Sequence, residues 1–151
     1  MSTPDLSSLL QLQQAIAEAA AKFVVVGVPA NTNGREEGVL SNADVAIIHE
    51  MGVPERGIPE RSFLRKTMAE KRQTYQELAG KVMRRVLAGE MTVKQGLDLI
   101  GMAAEGDVRE TIDTGEFAPL APETIRRKGS GKPLIDKGQL RYSIASEVRN
   151  A

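Results

Sequence analysis

The sequence predicts an α+β fold, with a small antiparallel sheet packed against a long central helix and shorter helices. Three observations carry this expectation. A β-branched run, "FVVVGVPA" from Phe23, lies toward one end of the 151-residue chain, and an alternating run, "QLRYSIASEVR" from Gln139, lies toward the other. Between them, apolar residues recur at three- and four-residue spacing, the period of a helix. Pro or Gly closes several of these segments, at Pro29, Gly52, Gly89 and Gly115.

Taken in order, the first helix is expected to begin near Pro4, capped by Thr3, with Leu6, Leu9, Leu10, Ile16 and Ala20 at helical spacing. The strand follows and stops at Pro29, because proline cannot donate to a ladder. "NTNGREEG" has turn chemistry. Ser41 or Asn42 can cap a short helix, "ADVAIIHE", which Gly52 ends. After a Pro/Gly corner, residues 62–89 read as the longest helix, with Leu64, Met68, Tyr75, Leu78, Val82 and Val86 on one stripe and Gly89 as its stop. Thr92 with Gln95 forms a capping-box pattern, and Val93, Leu97 and Ile100 give that helix its apolar side. Asp107 with Glu110 repeats the pattern ahead of another helix ending at Gly115. Residues 116–137 read as a long Pro/Gly/Lys-rich connection, flexible like the loop near 31–41. The closing run reads as a strand with alternation at Tyr142, Ile144 and Val148, pairing with the first in one small sheet.

The totals fit one domain over residues 1–151 with an aliphatic core, since there are three Phe, two Tyr and no Trp. Twenty basic and twenty acidic side chains cancel, so net charge offers no argument for nucleic-acid or membrane binding. Their distribution is uneven. Residues 1–60 sum to −5, residues 61–115 to +2 and residues 116–151 to +3, a polarity suited to contact between unlike surfaces of identical copies. Without cysteine there are no disulfides and no thiolate metal sites. "MSTPDLSSLLQLQQ" lacks the basic start and uninterrupted apolar run of a signal peptide, and no stretch approaches a membrane span. A soluble protein of a reducing compartment is expected.

Catalytic patterns start and then break. His49-Glu50 opens like a zinc-protease helix, but the position of the second histidine is Val53, and there is no other histidine in the chain. A helix-end histidine with local hydrogen bonds is the plainer reading. "GSGKP" echoes a phosphate loop, yet Arg126 stands where the first glycine belongs and Pro133 where Ser or Thr belongs. A serine triad would have to use His49 without any G-x-S-x-G stretch. No catalytic, cofactor-binding or metal residues are therefore assigned. Arg126, Arg127, Lys128, Lys132, Lys137 and Arg141 form a basic stretch, with Tyr142 the one aromatic close by. Phosphate contact through residues 126–141 is the alternative reading, without a platform for stacking bases.

Two separated stretches resemble a family of tailed-bacteriophage neck and tail-completion proteins. In "AIIHEMGVPERGIPERSFLR" the matching positions are His49, Glu50, Gly52, Pro54, Ile58, Pro59, Arg61, Phe63, Leu64 and Arg65. In "APLAPETIRRKGSGKPLIDKGQLRYSI" they are Pro119, Leu120, Pro122, Thr124, Lys128, Pro133, Leu134, Asp136, Gly138, Leu140, Ser143 and Ile144. Both blocks stand in family order and span residues 46–144. The resemblance implies a small α+β virion protein without catalysis or cofactors. It further implies a homo-oligomeric ring, most often a hexamer, in the neck or at the top of the tail, synthesised and assembled in the host bacterial cytoplasm. The partners it implies are head-closure or connector proteins and tail-terminator or tail-tube proteins. On the same resemblance, DNA is expected to pass nearby without being specifically bound.

Residue chemistry then suggests where contacts fall. Arg61 and Arg65, four apart, are expected on one helical face, meeting Glu50, Glu55 or Glu60 within or between subunits. Arg126, Arg127, Lys128, Lys132 and Asp136 are further interface candidates, facing a protein partner more than a DNA channel.

Overall fold

The structure is a computed structural model that describes residues 5–35, 38–129, 131–134 and 138–151. Its architecture is α+β, with one two-stranded antiparallel sheet and helices against one face. In chain order the elements are α1 (Leu6–Ala20), β1 (Lys22–Gly27), α2 (Asn42–Met51), α3 (Leu64–Glu70), α4 (Arg72–Leu87), α5 (Val93–Thr114), α6 (Pro122–Lys128), α7 (Gln139–Ser143) and β2 (Ala145–Asn150). Single turns of 3-10 helix occupy Ala30–Thr32 and Pro54–Arg56.

The terminal strands do pair, in the register Lys22 with Asn150 through Gly27 with Ala145. Side chains alternate across a strand, so Val24, Val26, Ser146 and Val148 share one face and Phe23, Val25, Glu147 and Arg149 the other. The first face lies on α5, where Gly101 sits against Val24 and Ser146.

α5 is the spine of the molecule. Thr92 and Gln95 form the expected reciprocal cap. The helix then runs unbroken through Asp107, where the sequence suggested a second start. Asp107 does not cap. Its carboxylate takes the Tyr75 hydroxyl at 2.9 Å and pairs with Lys71 at 3.2 Å, while Val108 and Ile112 continue the apolar stripe. Residues 62–89 depart from expectation in the opposite sense, breaking at Lys71 into α3 and α4. The break lets each half enter a different core. α3 brings Phe63, Leu64 and Met68 to a cluster with Ala46, Val108, Ile112, Leu134, Leu140 and Ile144. α4 brings Val82 and Val86 to a second cluster with Val93. A Cβ at Gly96 would stand 2.4 Å from the Val82 side chain, so α4 and α5 approach closely where that glycine lies.

Three further expectations change. Asp5, not Thr3, caps α1 by accepting the Ser8 N–H at 2.8 Å; Thr3 and Pro4 lie outside the described residues. The connection at 116–137 carries α6, with Leu120 and Leu134 buried at its flanks. Finally, Gln139–Ser143 is helix, not strand. Leu140, Ser143 and Ile144 are buried at three- and four-residue spacing, so the helical period prevails there, and the strand begins only at Ala145.

Candidate functional site

The His49-Glu50 corner begins with a well-capped helix. The Ser41 side chain accepts the Asp44 N–H, and the Asp44 carboxylate accepts the Ser41 N–H at 2.9 Å. α2 ends at Gly52, whose φ of +70° belongs to the region glycine adopts most readily. A Cβ there would lie 2.7 Å from the Glu60 nitrogen. The chain then folds back on itself, since Val53 and Ile58 exchange two backbone hydrogen bonds across the Pro54–Arg56 turn. This return delivers residues 61–65 to the end of α2, where the Arg61 N–H donates to the His49 carbonyl at 2.7 Å.

Glu50 closes the corner. Its carboxylate is buried and accepts the Ser62 hydroxyl at 2.6 Å, the N–H groups of Phe63, Leu64 and Arg65 at 2.9–3.0 Å, and the Arg65 Nε at 2.9 Å. The opening N–H groups of a helix have no partner within it, and the Phe63 side chain supplies no cap. A carboxylate from the preceding helix does so instead, where the helix dipole favours negative charge. Burial alone would raise the Glu50 pKa. The hydrogen bonds from Ser62, from the Arg65 and Leu64 N–H groups and from the Arg65 side chain outweigh it and hold the group below its ordinary value. Arg65 also reaches the Glu50 carbonyl at 2.7 Å and the exposed Glu60 carboxylate at 2.8 Å.

Arg61 has a different fate from the one expected. It precedes α3 and therefore shares no helical face with Arg65. Only 4% exposed, it donates through Nε to the Ala118 carbonyl at 2.7 Å and through a terminal nitrogen to the Pro119 carbonyl at 2.9 Å. Its charge ties the first resembling block to the second. Burial lowers its pKa, although no carboxylate contacts it among the described residues.

His49 is neutral. Burial first, then the charges of Arg61, Lys128 and Arg35, pull its pKa down to about 4. Its Nδ1 is buried without a hydrogen-bond partner among the described residues. No group of three His, Cys, Asp or Glu suited to a metal ion forms among those residues. The geometry around Glu50 builds a helix cap, and that around Arg61 a brace between two distant segments of the same chain.

Of the remaining interface candidates, Glu55 is exposed in the turn, and Arg126 and Arg127 project from the last turn of α6. Lys128 is half-buried beside them, and Lys132 is exposed. Asp136 lies outside the described residues, as does Lys137. Arg141, expected to extend the basic stretch, is committed to Asp113 on α5 at 2.7 Å. So Glu50 and Arg61 are used inside the chain, while Glu55, Glu60, Arg65, Arg126 and Arg127 are presented to solvent.

Sequence reasoning missed a second carboxylate clamp. Glu105 on α5 accepts the Ser146 N–H at 3.1 Å and pairs with Arg109 at 2.8 Å; Arg109 in turn holds the Ile144 carbonyl at 2.7 Å. The i, i+4 spacing of Glu105 and Arg109 was the available signal, but it looks the same on any solvated helix.

No helix among the described residues is long and apolar enough to cross a membrane. Comparison of the chain with protein-family models, with curated proteins and with solved structures finds no match.

Proposed function

We propose that this protein is a structural component of a tailed-bacteriophage virion, forming a ring at the head–tail junction or at the top of the tail. One observation carries the reading beyond the sequence resemblance itself. The two resembling blocks, far apart in the chain, meet as one buried unit. Arg61 of the first holds the backbone of Ala118 and Pro119 in the second, and Ala46 and Phe63 share a core with Leu134, Leu140 and Ile144. The resemblance therefore rests on residues that cooperate in holding a single shape. His49 and Glu50, the pair that invites a catalytic reading, are absorbed into that shape.

A head-to-tail ring needs two unlike surfaces on each copy. The exposed charges of the Glu55–Arg65 turn and of α6 are candidates for them. The rival reading, a nucleic-acid module over residues 126–141, loses Arg141 to Asp113.

The test is mass spectrometry of purified particles, with electron microscopy of the neck. The expected outcome is this chain at ring stoichiometry in intact virions. Its absence from particles would overturn the proposal, and salt-sensitive retention of the free protein on DNA would favour the rival.

A further inference from the structure

The two free edges of the sheet differ chemically. Ala151 donates its N–H to the Ala21 carbonyl, which makes that pair a hydrogen-bonded one. Antiparallel pairs alternate, so Phe23 with Arg149 and Val25 with Glu147 are hydrogen-bonded, and Val24 with Val148 and Val26 with Ser146 are not. The N–H and C=O groups of Val24 and Val26 therefore point away from β2, along the outer edge of β1. Those of Ser146 and Val148 point along the outer edge of β2. The β2 edge is closed at Ser146 by the Glu105 carboxylate. No such group reaches the β1 edge, and β1 pairs with no strand but β2 among the described residues. An open edge rich in valine is a template for another strand.

A second observation lies beside it. α1 leads into β1 through Ala21 alone and sets Ala15 and Ala19 against the Val82–Val86–Val93 cluster. Its larger side chains, Leu6, Leu9, Leu10 and Ile16, face solvent, with Leu6 74% exposed. Helices ordinarily bury the larger side chains and expose the smaller or polar ones. Here the order is reversed, on the helix adjoining the open edge.

We infer that a second copy of this chain occupies the β1 edge, giving a four-stranded sheet in the order β2, β1, β1, β2 about a two-fold axis through Val24. The sequence "KFVVVG" is self-complementary in that register. Val24 meets Val24 of the second copy, Phe23 meets Val25, and Lys22, the one charge in the strand, meets Val26, so no like charges oppose. Both α1 helices then lie on the same face of the sheet, and their leucine stripes pack together across the axis. A two-fold contact closes on itself and leaves head-to-tail ring contacts to other surfaces. The inference describes the free protein and stands or falls separately from the virion role.

The experiment combines solution mass with amide exchange on the full chain. The expected result is a dimer whose Val24 and Val26 amides exchange on the order of 100-fold more slowly than open-edge amides. Val24→Pro removes an outward N–H that the monomer does not use and should give a folded monomer. Val148→Pro, which removes the outward N–H on the opposite edge, should leave the dimer intact. A monomeric wild type with fast exchange at Val24 and Val26 overturns the proposal. So does a dimer that survives Val24→Pro. Should that variant fail to fold, exchange in the wild type decides alone, and Leu9→Gln, at an exposed position, should still weaken the dimer at least tenfold.

Discussion

The Glu50 carboxylate alone serves five donors, the Ser62 hydroxyl, the N–H groups of Phe63, Leu64 and Arg65 and the Arg65 Nε, of which the Phe63 contact is buried and the others partly so. Glu50→Gln keeps the size but turns an amide N–H₂ toward those donors. It should cost on the order of 2–4 kcal/mol in urea unfolding. Arg65→Ala removes an exposed partner and should cost about 1 kcal/mol or less. His49 gives a separate signature in pH. Its folded pKa of about 4 lies below the ordinary 6.5, so between those values the unfolded chain binds a proton that the folded chain does not. Stability should therefore fall as pH drops from 6.5 to about 4, by on the order of 2 kcal/mol, and His49→Gln should flatten that slope. Glu50 acts in a lower window. Its depressed pKa stabilises the fold above the ordinary 4.5, and this contribution is lost as pH falls through the folded value. The His-Glu pair stood out in the sequence, but its roles did not. The partners of Glu50 are mainly backbone N–H groups some 13–15 residues onward, and those of Arg61 are carbonyls 57–58 residues onward, which carry no side-chain signature.

Elements were legible where local chemistry fixed them and illegible where packing did. The capping box at Thr92, the cap offered at Ser41 or Asn42, which Ser41 fills, and the stops at Gly52 and Gly115 are local, and all hold. The break at Lys71 and the continuity of α5 through Asp107 depend on which core each turn enters, which spacing alone does not record. α7 was hidden because a five-residue helix and a short strand both place apolar residues at intervals that overlap. Packing makes its own prediction at Gly96. Gly96→Ala would improve helix propensity, yet its methyl would collide with Val82. Overpacking should win, with a net loss of about 1–3 kcal/mol in chemical unfolding.

Across the whole molecule, the two clusters share α5, which contributes Val93 to one and Val108 and Ile112 to the other. They should therefore unfold together. Val86→Ala in one cluster and Ile112→Ala in the other should each remove about 2–4 kcal/mol. Each should also shift a single transition common to circular dichroism and tyrosine fluorescence. The pairing of the terminal strands was legible because two β-prone runs with no other strand available had to find each other. The open β1 edge was not, since an edge is defined by the neighbours a strand lacks.

The same pairing bears on how the chain is made. β1 is complete at Gly27, and its partner begins at Ala145, 118 positions later. At translation rates of about 5–20 residues per second, a nascent β1 waits roughly 6–24 s before β2 is even synthesised. Once clear of the ribosome, β1 has no β2 to pair with until that strand is made. On a crowded polysome, each unfinished chain thus presents the same adhesive strand to its neighbours.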